Sequence, residues 1–309
     1  MDATYVGIDV SKDRLDVHVE PSGEIFAVGR NIAGQADLVE RLRLLAPAVI
    51  GIEATGGLES VVAASLAAAG LPVVVVNPAQ VRAFAIALGK RAKTDPIDAG
   101  VIARFVAATR PQIRPLPDEA TQQLADLIAR RRQIIEMMVA ERQRAKRAAG
   151  RTKRSITRLL AALEQELSDL DQDIDDNIRA SPAWRDKEEL LKSVPGIGDV
   201  TARTLIAELP ELGQLDRRQI AALAGLAPWT RQSGKWHGKS FIGGGRAVVR
   251  SSLFVAALVA SRHNQTLRTF HQRLIAAGKP KMIAIIAVAR KLLTILNAII
   301  RDQKPWQPA

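Results

Sequence analysis

Over roughly the first third of the chain, short apolar runs alternate with amphipathic stretches, and this alternation constrains the fold more than any other feature. Tyr5-Val6-Gly7-Ile8-Asp9-Val10 is an apolar run that carries an acid near its end. Leu15-Asp16-Val17-His18-Val19-Glu20 alternates with period two, the signature of a half-buried strand. Pro21-Ser22-Gly23-Glu24 makes a turn and Ile25-Phe26-Ala27-Val28 resumes the pattern, which predicts a three-strand meander. A helix is predicted from Gln35 to Leu45, with Leu38, Val39, Leu42 and Leu45 on one face. Val49-Ile50-Gly51-Ile52-Glu53 reads as a buried strand. A helix from Leu58 to Ala69, a strand from Val73 to Val76, and helices from Pro78 to Leu88 and from Pro96 to Ala108 follow. Strands alternating with helices in this way predict an α/β fold: a mixed sheet covered on both faces.

The same pattern places four acids. Ligands of open α/β sheets gather at the carboxyl ends of strands, and Asp9 and Glu53 fall there. The glycines of Thr55-Gly56-Gly57 let backbone or substrate pass close beside Glu53. Lys93-Thr94-Asp95-Pro96-Ile97-Asp98-Ala99 reads as a helix start, with Pro in the first turn and Asp before it as a cap. Asp95 and Asp98, three apart, share one face of that turn. Adjacent carboxylates repel unless a cation lies between them or one is protonated. Taken singly, each acid has a plain reading as a cap, a dipole partner, a turn residue or a buried hydrogen-bonded group. Taken together, the four point to a cation site, and Arg91 and Lys93 beside the Asp pair are candidate phosphate contacts.

The formal net charge of +12 favours a polyanionic partner, most simply nucleic acid. The absence of cysteine excludes disulfides and thiolate metal sites, and fits a reducing, cytoplasmic compartment. Met1-Asp2-Ala3-Thr4 has none of the regions of a signal peptide. Gly70-Leu71-Pro72 and Arg290-Lys291 interrupt the longest apolar runs, so no membrane span is expected.

Pro-rich residues 111–117 mark a first boundary and Ser181-Pro182 a second, which divides the chain into 1–111, 112–182 and 183–309. In the middle segment Leu124, Ile128, Arg131, Ile135, Met138, Arg142, Ala145 and Ala149 recur at three-four spacing, as do Ile156, Leu160, Leu163, Leu167, Leu170 and Ile174. These are coiled-coil-like seams, with Gly150 permitting a hairpin between them. A basic block that includes Arg147, Arg151 and Arg154 precedes an acidic one from Glu164 to Asp176. The segregation fits a hairpin whose charges set pairing, and equally a spacer or dimerisation element whose basic end touches nucleic acid. In the last segment, Val194-Pro195-Gly196-Ile197-Gly198 between helical patterns suggests a helix-hairpin-helix, with Gly196 and Gly198 leaving backbone N–H groups for a phosphate. The run from Gly225 to Lys239, with Lys235 among its basic residues, reads as an exposed loop that interleaves basic and aromatic residues, as nucleic-acid contacts do. Arg246 and Arg250 follow it. From the residues alone Ser233 is a turn serine beside a glycine. The four histidines have no metal-ligand spacing.

Gly7-Ile8-Asp9-Val10-Ser11-Lys12, Ile52-Glu53-Ala54-Thr55-Gly56 and Lys93-Thr94-Asp95-Pro96-Ile97-Asp98-Ala99 resemble the DEDD transposases of the insertion-sequence 110 family, relatives of the Piv invertases. Val194-Pro195-Gly196-Ile197-Gly198, Gly225-Leu226-Ala227-Pro228 and Ser233-Gly234 resemble the second domain of that family, in the same order. One departure is Ile242-Gly243-Gly244-Gly245, where many relatives carry Ser, Lys or Arg before the last glycine. The resemblance implies a RuvC-like, RNase H-type first domain in which Asp9, Glu53, Asp95 and Asp98 hold Mg²⁺ or Mn²⁺. It implies that Ser233 is the nucleophile of a DNA recombinase, in a site composed from two domains. It further implies a homodimer or tetramer guided by a structured, element-encoded RNA that pairs with DNA. Two rivals remain: a hydrolytic RNase H-like nuclease or junction resolvase using the same acids with water, and a non-enzymatic nucleic-acid scaffold.

Overall fold

In the computed structural model, residues 3–90, 95–113, 118–230, 232–234, 236–238 and 240–308 are described. The chain forms two units, Met1–Leu116 and Pro117–Ala309. In the first, β1 (Tyr5–Val10), β2 (Arg14–Glu20) and β3 (Ile25–Gly29) make the antiparallel meander. Helix α1 (Ile32–Leu45) starts earlier than its apolar pattern predicts, because the Asn31 side chain accepts from the Gly34 N–H at 2.8 Å and caps it. Strand β4 (Val49–Glu53), helix α2 (Leu58–Ala68), strand β5 (Val73–Val76), helix α3 (Pro78–Ala87) and helix α4 (Asp95–Thr109) complete the unit. The five strands lie in the order β3-β2-β1-β4-β5, with β1, β4 and β5 mutually parallel.

Alternation along the strands sorts the sheet into two faces. Val6, Ile8, Leu15, Val17, Ile50 and Ile52 pack with Leu38, Leu42, Val62 and Leu66 of α1 and α2. Val49 and Val76 on the other face pack with Val81, Ala85, Val101, Ile102 and Val106 of α3 and α4. Strand β2, expected to be half-buried, is therefore buried on both sides. Its polar residues Asp16 and His18 are 1% and 7% exposed.

Helix α4 crosses the sheet over glycine. A Cβ on Gly7 would lie 2.2 Å from the Ala99 carbonyl oxygen and 2.3 Å from the Ala103 nitrogen, and one on Gly51 would strike Val106 and Ile102. The far end of α4 is tied to β2: Glu20 accepts from Arg104 at 2.7 Å and lies 3.3 Å from His18 Nε2. Burial alone would raise the Glu20 carboxyl, but the hydrogen bonds and charges of Arg104 and His18 outweigh it and hold the group below the usual carboxylate range. Because the atoms facing Gly7 are backbone, they cannot yield as a flexible side chain does. Gly7→Val is expected to displace α4 and destabilise the protein by at least about 1–3 kcal/mol. A lowered urea midpoint together with lost activity would show this; an unchanged midpoint would mean the helix does not dock so closely.

The second unit opens with α5 (Glu119–Ala145) and α6 (Gly150–Ala180), an antiparallel hairpin. Ile134 rather than the expected Ile135 is buried in it, with Met138 and Leu170. Arg131 meets Asp171 at 2.5 Å and Arg142 meets Glu164 at 3.0 Å, so ion pairs join α5 to the acidic stretch of α6. Leu124, Ile128, Ile174 and Ile178 at the base of the hairpin share one core with the helices that follow. These are α7 (Pro182–Lys192), α8 (Asp199–Glu208), α9 (Arg217–Leu223), α10 (Ala247–His263), α11 (Gln265–Ala276) and α12 (Lys281–Asp302). Ser181 closes α6 and its side chain caps α7. Arg203 on α8 joins Asp175 of α6 at 2.5 Å and Glu188 of α7 at 2.7 Å.

Among the described helices, α12 is long and apolar enough to span a bilayer by length and composition. Arg290 and Lys291, expected to interrupt it, lie within it. Lys291 rests its ammonium 4.5 Å above the Phe270 ring. Val288, Leu292, Leu293 and Leu296 are fully buried in the unit's core, as in the central helix of a globular bundle.

Candidate active site

The glycine crossing determines where the acids go. Gly7 stands opposite Gly51 in the parallel pairing of β1 with β4. Asp9 and Glu53 are each two residues further on, so they share the α4 face with those glycines. Continuing the register from Ile8 and Ile52 by one step sets them side by side at the carboxyl ends of neighbouring strands. Ala107 and Ala108 of α4 line the same cavity as Ala3 and Tyr5, so α4 runs against β1 and presents its first turn to the Asp9 end. Asp98 precedes Ala99, the residue pressed on Gly7, and Asp95 opens the helix. Asp9, Glu53 and Asp98 are all half-buried. The side chain of Asp95 lies outside the described residues, as do Arg91 and Lys93.

The loop after Glu53 is open. Gly56 and Gly57 have φ of 62° and 98°, and a side chain on either would meet nothing within 4 Å. Glu59 accepts from the Thr55 and Gly57 N–H groups at 2.8 and 2.9 Å and holds the loop in shape. An acid missed in the sequence lies next to this site. Asp16 is paired with Asp9 across β1 and β2, on the same face. Its carboxylate accepts from Arg14 at 2.6 and 3.1 Å. The period-two pattern marks Asp16 as polar but does not say that α4 covers it.

A set of carboxylates offers only oxygen donors, the preference of Mg²⁺ and Mn²⁺. The donor chemistry and the placement at one edge fit a divalent cation. Among the described residues, no three acid or histidine side chains are drawn together into a metal-binding group.

In the second unit Ser233 is exposed near the tip of a small ribbon made by β6 (Gln232–Ser233) and β7 (Trp236–His237). Ser233 pairs with Trp236, which leaves a two-residue turn, and Gly234 takes φ 56° there as such turns require. The base of the ribbon is interlocked: a Cβ on Gly245 would lie 2.4 Å from the Leu223 carbonyl oxygen, and one on Gly225 would lie 2.2 Å from that of Gly244. Arg246 donates to both Glu211 oxygens at 2.5 and 2.6 Å and to the Glu208 carbonyl at 2.9 Å. Arg250 donates to the Gly244 carbonyl at 2.6 Å. Both guanidinium groups thus anchor the ribbon. Lys235 and Lys239 lie outside the described residues.

The turn between α7 and α8 is as tight as its glycines suggest. A Cβ on Gly196 would lie 2.6 Å from that of Ala260, so this glycine lets α10 approach, whereas Gly198 faces open space and caps α8. Asp199 in the first turn pairs with Lys192 at 2.5 Å, and that hydrogen bond holds its carboxyl below the usual range. The basic end of the hairpin forms a groove of about 660 Å³ lined by Arg144, Lys146 and Arg147, among others. Arg147, Arg151 and Arg154 are exposed and make no ion pair among the described residues.

Residues 6–164 match a family model of DEDD transposases of the IS110 type, described as a transposase. Residues 188–272 match a model described as the transposase IS116/IS110/IS902 family. The pilin gene-inverting protein of Moraxella bovis is 29% identical over 316 residues, which cover 99% of this chain and 98% of that one. The transposase for insertion sequence element IS1111A of Coxiella burnetii is 24% identical over 347 residues, 99% of this chain and 92% of that one. An uncharacterized 42 kDa protein of insertion element IS900 from Mycobacterium paratuberculosis is 31% identical over 154 residues, 48% of this chain and 37% of that one.

Proposed function

Because the chain belongs to the IS110 family of insertion-sequence transposases, we propose that this DNA-processing enzyme cleaves and exchanges DNA strands through a four-carboxylate site and a serine nucleophile. The observation that carries the reading is the passage of α4 over Gly7 and Gly51, which sets Asp98 and the start of α4 at the edge where Asp9 and Glu53 end their strands. The strand order β3-β2-β1-β4-β5, with an antiparallel meander and two parallel strands, supports an RNase H-type, RuvC-like first domain.

Asp9, Glu53, Asp95 and Asp98 would hold Mg²⁺ or Mn²⁺. A divalent cation there supplies charge that polarises the phosphate and stabilises the departing oxygen. Ser233 gives up its hydroxyl proton and its Oγ forms a bond to phosphorus. The bond from phosphorus to the deoxyribose oxygen breaks, and that oxygen takes up a proton. The resulting phosphoserine keeps the phosphodiester bond energy for rejoining to another strand's hydroxyl. The ribbon's interlocked glycines and the Arg246–Glu211 pair hold Ser233 in place.

The exposed arginines of the hairpin tip serve nucleic acid in this reading: an element-encoded guide RNA by family resemblance, and DNA. Replacing Arg147, Arg151 and Arg154 together by Gln is expected to reduce the slope of log affinity against log salt by roughly 0.7–0.9 for each phosphate that is no longer neutralised. An unchanged slope would assign the tip to hairpin pairing alone. The function is tested by incubating the purified protein with labelled element-end DNA and cognate RNA, with and without Mg²⁺. The expected result is metal-dependent cleavage in which the labelled strand migrates with the protein on a denaturing gel. Cleavage that leaves only free strand ends would establish the hydrolytic reading, and no cleavage by a folded, RNA-loaded protein would favour a scaffold.

A further inference from the structure

The ribbon that carries Ser233 also holds an aromatic pair that the serine chemistry does not use. Trp229 is 60% exposed and Phe241 is 65% exposed. They face each other across an antiparallel bridge closed from both sides, Trp229 N to Phe241 O at 2.7 Å and Phe241 N to Trp229 O at 3.1 Å. Directly opposite residues of an antiparallel pair share a face, so both side chains leave the ribbon on the same side. Single exposed apolar residues are ordinary, but these two are joined through their backbones by two hydrogen bonds. Ile242 packs against the core, and alternation sends its neighbour Phe241 outward. A Cβ on Gly244 would be 3.4 Å from Trp229 Cζ2, so the indole lies against that glycine, whose carbonyl Arg250 holds at 2.6 Å. Thr230 and Ser240, the next pair along, join their hydroxyls at 3.2 Å.

The surrounding charge selects the occupant. From Trp229 to Arg250 the chain has neither Asp nor Glu, and besides Arg246, which Glu211 pairs, it carries Arg231, Lys235, Lys239 and Arg250. Aromatic faces among basic residues suit a single strand of nucleic acid, because every base offers a π-face and the backbone is anionic. A base inside a duplex has both faces covered, so the rings require an unpaired one. Trp229 precedes Ser233 by four residues, about 13 Å of extended chain, which puts the rings within a few nucleotides of a phosphate at the serine. We infer that Trp229 and Phe241 form a stacking platform for an unpaired base of the DNA strand presented to Ser233. The inference rests on the proposed role of the ribbon in DNA cleavage, and its test reads binding alone, so it is independent of which group attacks phosphorus.

The test is fluorescence anisotropy with single-stranded and duplex oligonucleotides of one element-end sequence, using wild-type protein and four variants. The double variant Trp229→Ala/Phe241→Ala and the single variant Trp229→Leu, which keeps apolar volume but loses the ring, are expected to bind the single strand about tenfold more weakly, as a base loses its aromatic partner. Duplex affinity should not change. Trp229→Phe should bind as wild type does, as should Ile275→Ala, a control at an exposed position outside the ribbon. A 2-aminopurine walked along the strand should be quenched at one position near the cleavage site, and the double variant should abolish that quenching. Unchanged single-strand affinity in the double variant and in Trp229→Leu would overturn the inference. So would unchanged affinity with a smaller sedimenting species, which would make the pair a contact between copies of the chain. A loss confined to RNA oligonucleotides would overturn it in favour of a guide-RNA base.

Discussion

Asp9→Asn is expected to reduce Mg²⁺-dependent strand cleavage by on the order of 10³-fold or more, while leaving folding and nucleic-acid binding close to wild type. A metal ion's stabilisation of transition-state charge is worth several kcal/mol, and each 1.36 kcal/mol is tenfold in rate. Glu53→Gln, Asp95→Asn and Asp98→Asn should behave alike, since in the proposed site each acid would supply one oxygen ligand. None of these changes creates a cavity or an overpacked contact. They also relieve repulsion between neighbouring carboxylates, so thermal stability in the absence of metal should hold or rise. Mn²⁺ titration should show weakened capture in each variant. Normal turnover in both Asp9→Asn and Asp98→Asn would remove the acids from the mechanism.

Ser233→Ala is the second change with a large expected effect. A serine hydroxyl attacks poorly at neutral pH unless its proton is drawn off or its target is strongly polarised. In the proposed mechanism a bound divalent cation and basic charge would supply that activation. The variant should bind DNA and RNA as wild type does, because Ser233 is exposed at a turn and packs no core. It should form no protein-linked strand. Cleavage at the wild-type rate by Ser233→Ala would make water the nucleophile.

The placement of Asp9, Glu53 and Asp98 was legible in the sequence, as strand ends for Asp9 and Glu53 and a helix start for Asp98. The periodicity of each segment also gave most helix and strand positions, since burial on one side imposes a repeat that neighbours in the chain display. What the sequence hid were relations between distant residues. Asp16 looked like the solvent side of a strand, and only α4 lying over β2 makes it a buried neighbour of Asp9. Gly7 and Gly51 carried no sign that a helix backbone would press on them. Arg246 and Arg250 read as phosphate contacts from charge alone, yet Glu211 and the Gly244 carbonyl engage them. Gly196 read as a phosphate turn, and its close contact is with Ala260. The buried hairpin position is Ile134 and not Ile135 because Ile134, four residues before Met138, lies on the face of α5 that meets Leu160, Leu163, Leu167 and Leu170 of α6.

Mass-spectrometric mapping of the protein-linked DNA strand tests the central claim most directly. Wild-type protein, cognate RNA and element-end DNA are incubated with Mg²⁺, denatured and digested, and the peptide bearing the phosphoryl link is sequenced. The link is predicted on Ser233, and only when Mg²⁺ is present. A link on Ser240, Ser251 or Ser252, or complete cleavage with no linked peptide, would contradict the account.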